Sequence, residues 1–313
     1  MLRFFLLIPL VMLTVSSCDR PAERAVLVGN AWLGAAPIFS AAATHPAVLP
    51  RQLKPVMLVS DISVLRMLSN DAAVGAFVSL DNALGMNTMT QGGYCVAMVI
   101  DRSLGADAII AHEDWRDDPE KPIHVGLEDS TLARYVLSQW MKVNGIAPER
   151  VSTQVLVPSE HLSVWTERET DLVVTYQPFV ERLKQRGGQV IFDSRHTELK
   201  ITDVLIINKQ RWPALAPAVM ALRDQSWPHI MSLLEQRQIE FWQALQALTD
   251  LGEAELTTGL ADVEFVSAAE QEKALAKLLQ EDIPQVAEHL IQSNVYDQVT
   301  PLSRCDQLSE VVE

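Results

Sequence analysis

Short apolar runs alternate with segments of helical periodicity in the first third of the chain. The runs are continuous, which is the pattern of strands that are buried on both faces. They lie at residues 25–29, 56–60, 74–78, 94–100 and 108–111. Between the second and third runs, residues 61–70 carry apolar side chains at helical spacing behind a Ser60/Asp61 cap. Strands that alternate with helices are typical of βαβ units, so we predict a mostly parallel sheet flanked by helices.

The middle of the chain repeats this alternation. Further strands are predicted at residues 124–126, 151–157, 172–175, 189–192 and 203–207. A helix is predicted from Ser130/Thr131 to a stop at Gly145, and shorter helices over residues 158–168 and 178–186. The apolar face of the first of these helices is predicted to comprise Leu132, Val136, Trp140 and Val143. Everything after residue 207 is predicted to be helical, over residues 212–224, 228–248, 267–279 and 283–293.

This order of elements predicts two α/β lobes that are joined by two chain crossings. The crossings are expected near residues 106–112 and 194–203, because the strand at 203–207 would return to the first lobe. We assign residues 25–108 and 198–313 to a first lobe with C-terminal helices, and residues 109–197 to a second lobe.

The first 17 residues predict export. Arg3 precedes an apolar run at residues 4–13, which is too short to span a bilayer and fits a signal peptide. Small residues then lead to Cys18, an order that resembles the bacterial lipoprotein signal. We expect cleavage before Cys18, lipid on Cys18, a linker over residues 18–24 and retention at the periplasmic side of the inner membrane. An ordinary secretory signal or a buried N-terminal helix is the alternative.

Composition excludes several classes of protein. The 313 residues are 48% hydrophobic and 21% charged, as in ordinary globular proteins, so fibrous and low-complexity chains are excluded. The net charge of −15 opposes binding to a phosphate backbone, and we expect no nucleic-acid partner. Three cysteines are too few for a thiolate zinc cage. In an exported protein a bridge between Cys95 and Cys305 is conceivable, but we favour two separate buried thiols.

No motif for catalysis is present in the sequence. It lacks a nucleophile elbow, a phosphate loop, a dinucleotide fingerprint and a paired-histidine metal motif. We therefore expect no enzymatic activity, no metal and no cofactor.

Polar and aromatic residues follow the predicted strands, and they are the candidate ligand site. The carboxyl ends of parallel strands form the ligand crevice of an open α/β sheet, and two facing lobes would close it. Several of these residues have a simpler explanation as helix caps or core aromatics. The candidates are Asn30, Trp32, Ser60, Asp61, Ser79, Asp81, Asp107, Ser130, Thr131, Thr175, Tyr176 and Gln177.

Collinear segments between about residues 25 and 300 carry the motifs of a known family. Segment 28–37, VGNAWLGAAP, is similar to an opening Trp-x-Gly-x-x-Pro loop, and segment 171–179, DLVVTYQPF, to an Asp-Ala-x-x-Thr-Trp-Glu-Pro signature. Segments 78–84, 105–111, 126–137, 191–194 and 203–206 follow the family order. The chain thus resembles the periplasmic substrate-binding proteins of ABC importers, of the nitrate, sulfonate, taurine and thiamine-precursor type.

The resemblance implies a two-lobed type II periplasmic-binding-protein fold. It also implies a monomeric receptor that closes on a small solute and delivers it to an inner-membrane permease. The ligand does not carry over, since Tyr176 and Gln177 replace the usual Trp-Glu. The crevice residues are rich in aspartate and include no evident arginine, which favours an amine or neutral polar solute over a bare oxyanion. The alternatives are a sensor subunit for a membrane signalling protein, or an enzyme on the same fold, for which His196 is the candidate residue.

Overall fold

Strands form the central layer of both lobes. The computed structural model describes residues 24–308. The strands are β1 (Ala25–Gly29), β2 (Leu53–Met57), β3 (Gly75–Ser79), β4 (Tyr94–Ser103), β5 (Asp107–His112), β6 (Ile123–Leu127), β7 (Val151–Val155), β8 (Leu172–Tyr176), β9 (Gly188–Asp193), β10 (Thr202–Asn208), β11 (Val263–Phe265) and β12 (Ser303–Arg304). Of these, β3, β5 and β8 are apolar and buried along most of their length.

Helices flank these strands in each lobe. They are α1 (Ala36–Thr44), α2 (Asp61–Ser69), α3 (Leu80–Met89), α4 (Thr131–Asn144), α5 (His161–Thr166), α6 (Phe179–Lys184), α7 (Trp212–Ala221), α8 (Trp227–Glu235), α9 (Ile239–Thr249), α10 (Glu253–Ala261), α11 (Gln271–Lys277) and α12 (Ile283–Gln292). Single π-helical turns at Leu222–Ser226 and Leu278–Asp282 connect α7 to α8 and α11 to α12. Within residues 24–308, no helix has the length and apolar character needed to cross a membrane.

Each lobe is built on its own sheet. The sheet of lobe 1 has the order β11-β4-β10-β3-β1-β2, and β12 also pairs with β4. The sheet of lobe 2 has the order β7-β6-β8-β5-β9. The strand pairings place β10 and β11 antiparallel to the rest of the first sheet, and β5 antiparallel to the rest of the second. The prediction of α/β lobes with mostly parallel sheets is confirmed, and the chain crosses between the sheets at residues 104–106 and 194–201.

The helices α2 and α4 begin at the capping residues that the sequence predicts. Ser60 begins α2 by accepting a hydrogen bond from the Ser63 N–H, and Ser130 does the same for α4 with the Ala133 N–H. Gly145 ends α4 in the left-handed conformation, with φ of 63°. Val143 is 65% exposed, so its placement on the apolar face of α4 was wrong.

Three other predictions of secondary structure were wrong. The second strand begins at Leu53 rather than Val56; it contains Pro55, which is tolerated because β2 is at the edge of the sheet. The predicted helix over residues 228–248 is interrupted after Glu235, and Gln238 caps a new helix by accepting from the Phe241 N–H. The region after residue 207 is not entirely helical, because β11 and β12 both add to β4.

Cys95 and Cys305 form a disulfide, so the expectation of two separate thiols was wrong. The bond joins positions 210 residues apart and fixes the C-terminal segment against β4. Beside it, Arg304 donates hydrogen bonds to the carboxylates of Glu272 and Asp306 at 2.7–2.8 Å. Sequence spacing could not predict the bridge, because only the pairing of β12 with β4 brings the two sulfurs together.

Candidate functional site

The carboxyl ends of strands from both lobes meet around a cavity. Lobe 1 contributes Asn30 and Trp32 after β1 and Ser79 at the end of β3. Lobe 2 contributes Leu132 in the first turn of α4 and Tyr176 at the end of β8. The cavity contains about 450 Å³ of empty space, including its opening to solvent. Its location is the one expected for the ligand crevice of facing α/β sheets.

Hydrogen bonds from both the backbone and the indole ring hold Trp32 in place. Its backbone N–H donates to Asn30 Oδ1 at 2.9 Å, and its indole Nε1 donates to both carboxylate oxygens of Asp101 at 3.2 Å. The Trp32 ring meets the Tyr176 ring from the opposite lobe edge to face, with centroids 6.2 Å apart. Gly34 makes this arrangement possible, because a Cβ atom there would overlap the Asp101 carboxyl and the indole nitrogen.

Asp101 and Asp203 form a carboxyl pair at the lobe 1 side of the cavity. They are register partners on the adjacent strands β4 and β10, and their carboxyl groups hydrogen bond to each other. Burial raises the pKa of Asp101 to about 7. Burial and the neighbouring negative charges raise the pKa of Asp203 well above its usual range. The pair therefore retains a proton at neutral pH, shared between the two carboxyl groups.

Asp61 connects the two lobes through a network of hydrogen bonds. Its carboxylate accepts from Asn30 Nδ2 at 2.7 Å and from Asn82 Nδ2 at 3.2 Å. Its backbone N–H donates to Glu128 Oε1 of lobe 2 at 3.1 Å, and Asn30 Nδ2 also donates to the Tyr176 hydroxyl at 3.3 Å. Burial, then the adjoining carboxylates, raises the pKa of Asp61 to about 7 and that of Glu128 to about 8.

A second cavity of about 330 Å³ adjoins the first on the lobe 2 side. Asp61, Asp107 and Tyr176 line both, and His161 and Thr175 line the second. His161 Nδ1 lies 2.9 Å from Thr175 Oγ1, and burial lowers the pKa of this histidine to about 4, so it is neutral.

Three atoms in these linings have no hydrogen-bond partner within the described chain. They are Asp107 Oδ2, Ser79 Oγ and His161 Nε2, all on side chains at most 5% exposed. Buried polar atoms are nearly always hydrogen bonded in proteins, so each of these atoms is available to a ligand. Within residues 24–308, no group of three or more His, Cys, Asp or Glu side chains is arranged to hold a metal ion.

The structure brings most of the predicted site residues together. Those that line the two cavities are Asn30, Trp32, Asp61, Ser79, Asp107, Ser130, Thr175 and Tyr176. Asp81 and Thr131 line a neighbouring cavity between α3, α4 and α12. Ser60 is the cap of α2, and Gln177 is buried against Gly259 with its amide near Glu181 and Asp262. Cys18 lies outside the described residues, and its lipidation stays a prediction.

Sequence reasoning did not select Asp101, Asp203 or His161. The available signal was an acidic side chain within or beside an otherwise apolar strand, as in MVID at residues 98–101 and DVLII at residues 203–207. A carboxylate is costly in that setting unless it has a partner or a function.

No protein-family model and no curated protein matches the sequence significantly. Solved structures do match. The alkanesulfonate-binding protein SsuA from Xanthomonas axonopodis pv. citri bound to MOPS has a TM-score of 0.70 and 13% identity, covering 88% of this chain and 95% of that chain. A ligand-binding component of an ABC-type import system from Staphylococcus aureus, with zinc bound, has a TM-score of 0.69 and 12% identity over 88% and 94%.

The desulfurization enzyme DSZB also matches, with a TM-score of 0.61 and 11% identity over 91% of this chain and 96% of that chain. At such identities the likeness establishes the fold alone. The predicted two-lobed periplasmic-binding-protein fold is confirmed, and with it the predicted resemblance to binding proteins of ABC importers at the level of fold.

Proposed function

We propose that this chain is the solute-binding receptor of an ABC importer. The observation that carries the proposal is the cavity between the lobes, whose lining includes buried polar atoms without partners. A small solute that completes those hydrogen bonds would be held by both lobes at once. The fold, shared with two ABC-import binding proteins, supports the same function.

Solute capture would proceed by closure of the two lobes. At the cavity they are in contact through the Asp61 N–H to Glu128 bond and the Asn30 to Tyr176 bond, with Trp32 against Tyr176. Further hydrogen bonds, ion pairs and an aromatic contact join the lobes outside the cavity. A solute that adds its own hydrogen bonds to both lobes would favour this closed arrangement, and the lobes would open by hinge motion when the cavity is empty. The closed form, with its solute, is the state that we propose a permease recognises.

The test is a thermal-shift screen of residues 19–313 combined with small-angle scattering. The panel contains nitrate, taurine, alkyl sulfonates, amino-pyrimidines and amines. A ligand at about 100 times its Kd should add about 2.7 kcal/mol to the free energy of unfolding. The same ligand should reduce the radius of gyration, and Tyr176→Ala should abolish both effects. A flat response across the panel would contradict the receptor proposal and favour a role that needs a protein partner.

A second candidate, catalysis on this fold, is favoured by the likeness to the enzyme DSZB. We propose binding without chemistry, because a receptor needs only hydrogen bonds and closure from this set of residues. Mass spectrometry of each bound compound before and after long incubation separates the two. A receptor returns the compound unchanged, whereas a changed mass that disappears in Asp101→Asn would establish an enzyme.

We further propose that lipid on Cys18 holds the receptor at the outer face of the cytoplasmic membrane. Expression of the full chain in a bacterium that acylates lipoproteins tests this. The wild type should fractionate with membranes and take up labelled fatty acid, and Cys18→Ser should lose the label. Labelling that persists in Cys18→Ser would contradict the anchor.

A further inference from the structure

Negative charge accumulates between the lobes without a positive side chain to balance it. The carboxyl groups that line the two cavities are Asp61, Asp101, Asp107, Asp203 and Glu128. Among the described residues, no Lys or Arg lines either cavity, and His161 is neutral. Buried carboxylates are unfavourable unless they are protonated or paired with a cation. The empty site must therefore keep protons on part of this set.

Two buried polar atoms in the lining of the first cavity also lack a hydrogen-bond partner. Asp107 Oδ2 and Ser79 Oγ have no partner within the described chain, although both residues are only 5% exposed. They belong to different lobes and line the same cavity. A ligand with N–H groups in two directions would satisfy both atoms and leave fewer buried acceptors without donors.

We propose that the solute is a small organic cation that carries an ammonium, amidinium or guanidinium group, bound between Asp61, Asp107 and Glu128. This inference rests on the proposed receptor function and specifies its ligand. Trp32 and Tyr176 lie beside these carboxyls, and their ring faces also attract a cation. A sulfonate or nitrate in the same place would be repelled by every carboxylate of the cluster.

The inference predicts that binding releases protons. Burial raises the pKa of Asp107 and of Asp61 to about 7, so both are partly protonated near neutral pH. A cation favours the ionised carboxylates, so their protons pass to the buffer and affinity rises between pH 6 and pH 8. The other titratable groups that face these carboxyls are Asp81, Asp101, Asp203, Glu128, Tyr176 and His161.

Isothermal titration with matched pairs of probes tests the proposal. Methylguanidinium and benzamidinium are compared with their neutral isosteres, methylurea and benzamide, and with methanesulfonate, Mg²⁺ and Zn²⁺. The cations should bind at least about 10-fold more tightly than their isosteres, as expected for a hydrogen bond to a charged group. Their heats of binding should differ between buffers of low and high ionisation enthalpy, which measures the released protons.

Substitutions in the cavity lining test where the cation binds. Asp107→Asn keeps the size and one acceptor of the side chain, and it should weaken cation binding about 10- to 100-fold with little effect on the neutral probes. Ser79→Ala provides a second, milder loss if Asp107→Asn folds poorly. Asp297→Asn, at an exposed carboxylate outside the cavities, is the matched control and should bind as the wild type does.

The possible results separate this inference from the proposed function. Binding of a neutral probe, methanesulfonate or a metal ion in preference to the organic cations would overturn the inference and leave a receptor. An affinity for the cations that does not change with pH, or that does not change in Asp107→Asn, would also overturn the inference. No binding by any probe, together with a flat thermal-shift screen, would count against both.

Discussion

Asp101 and Asp203 form a buried carboxyl pair that positions a neighbouring aromatic side chain. Each carboxyl lies at the end of an apolar strand segment, and the two are direct neighbours across β4 and β10. Burial removes the hydrogen bonds that water would make to these carboxyl groups. Hydrogen bonds between the two carboxyl groups, and from the Trp32 indole N–H to Asp101, replace them and make the burial tolerable. The same contacts hold the Trp32 ring toward Tyr176. A buried acid pair thus positions an aromatic side chain of the candidate site.

Gly34→Ala should disturb that arrangement. The new methyl group would overlap the Asp101 carboxyl and the Trp32 indole nitrogen, so the Trp32–Asp101 hydrogen bonds must break or shift. Overpacking of this kind costs about 1–3 kcal/mol, which thermal unfolding would detect. The affinity for any ligand of the cavity should fall as well.

Gly252→Ala is the matched control for Gly34→Ala. A Cβ atom at Gly252 would lie 2.5 Å from Glu255 Oε2, the far end of a half-buried, flexible side chain that can move away. Gly252 is also the N-cap of α10, where alanine is less favourable than glycine, so the melting temperature should fall slightly, and by less than in Gly34→Ala. Equal melting temperatures for Gly34→Ala and Gly252→Ala would refute the role assigned to Gly34.

At the scale of elements, the outer edge of β4 is shared by two short strands from distant parts of the chain. The strand β11 pairs at Asp101–Ser103, and β12 pairs at Cys95–Val96. The strand β12 has two residues, too few for independent stability, and the Cys95–Cys305 bond holds it in place. The C-terminal segment therefore depends on a covalent contact rather than on its own sequence preferences.

Loss of the disulfide should release this segment without opening the cavity. Cys305→Ser, or a reducing agent, should lower the free energy of unfolding by about 2–4 kcal/mol, as for other natural bridges. Limited proteolysis should then cut after α12, while ligand binding persists because Cys305 lines neither cavity.

The double variant Cys95→Ser/Cys305→Ser separates the bridge from the effect of an added thiol. It should melt at the temperature of the reduced wild type. Identical melting of the oxidised and reduced wild-type protein would contradict a stabilising bridge.

At the scale of the whole molecule, the site carboxyls couple lobe closure to protonation. Carboxyl groups of lobe 1 and lobe 2, among them Asp61 and Glu128, come together only when the lobes are in contact. Bringing like charges into a shared, partly desolvated space raises their pKa values. The net charge of −15 on the chain adds to this repulsion.

The unliganded protein should therefore lose stability as the pH rises from about 5 to about 8. The carboxyls of Asp61, Asp101 and Asp107 have pKa values of about 7 in the folded state against 3.8 in the unfolded chain. Between those values the folded state holds more protons than the unfolded state, so raising the pH favours unfolding until the folded groups have titrated. Melting temperatures measured across this range check the sign.

Asp107→Asn should flatten this pH dependence, because an amide does not titrate. It should raise the melting temperature of the empty protein more at pH 8 than at pH 5, while Asp297→Asn follows the wild type. Stability that increases steadily from pH 5 to pH 8 in the empty wild type would contradict the protonated cluster.

Local sequence signals account for the alternation of strands and helices up to about residue 207 and for eight of the residues that line the two cavities. Continuous apolar runs and polar caps such as Ser60 and Ser130 are local signals, because hydrophobic periodicity and capping act within a few residues. The polar residues at strand ends, among them Asn30 and Tyr176, followed from the rule that carboxyl ends of parallel strands share one edge.

Contacts between distant segments depend on how the whole chain packs. Asp101 became a site residue through its register with Asp203, and Cys305 reached Cys95 through two residues of strand pairing. Gln177, next to Tyr176 in sequence, is turned into the contact with Gly259 instead of the cavity. These outcomes depend on which strands lie beside one another, and that depends on the packing of the whole chain rather than on any local pattern.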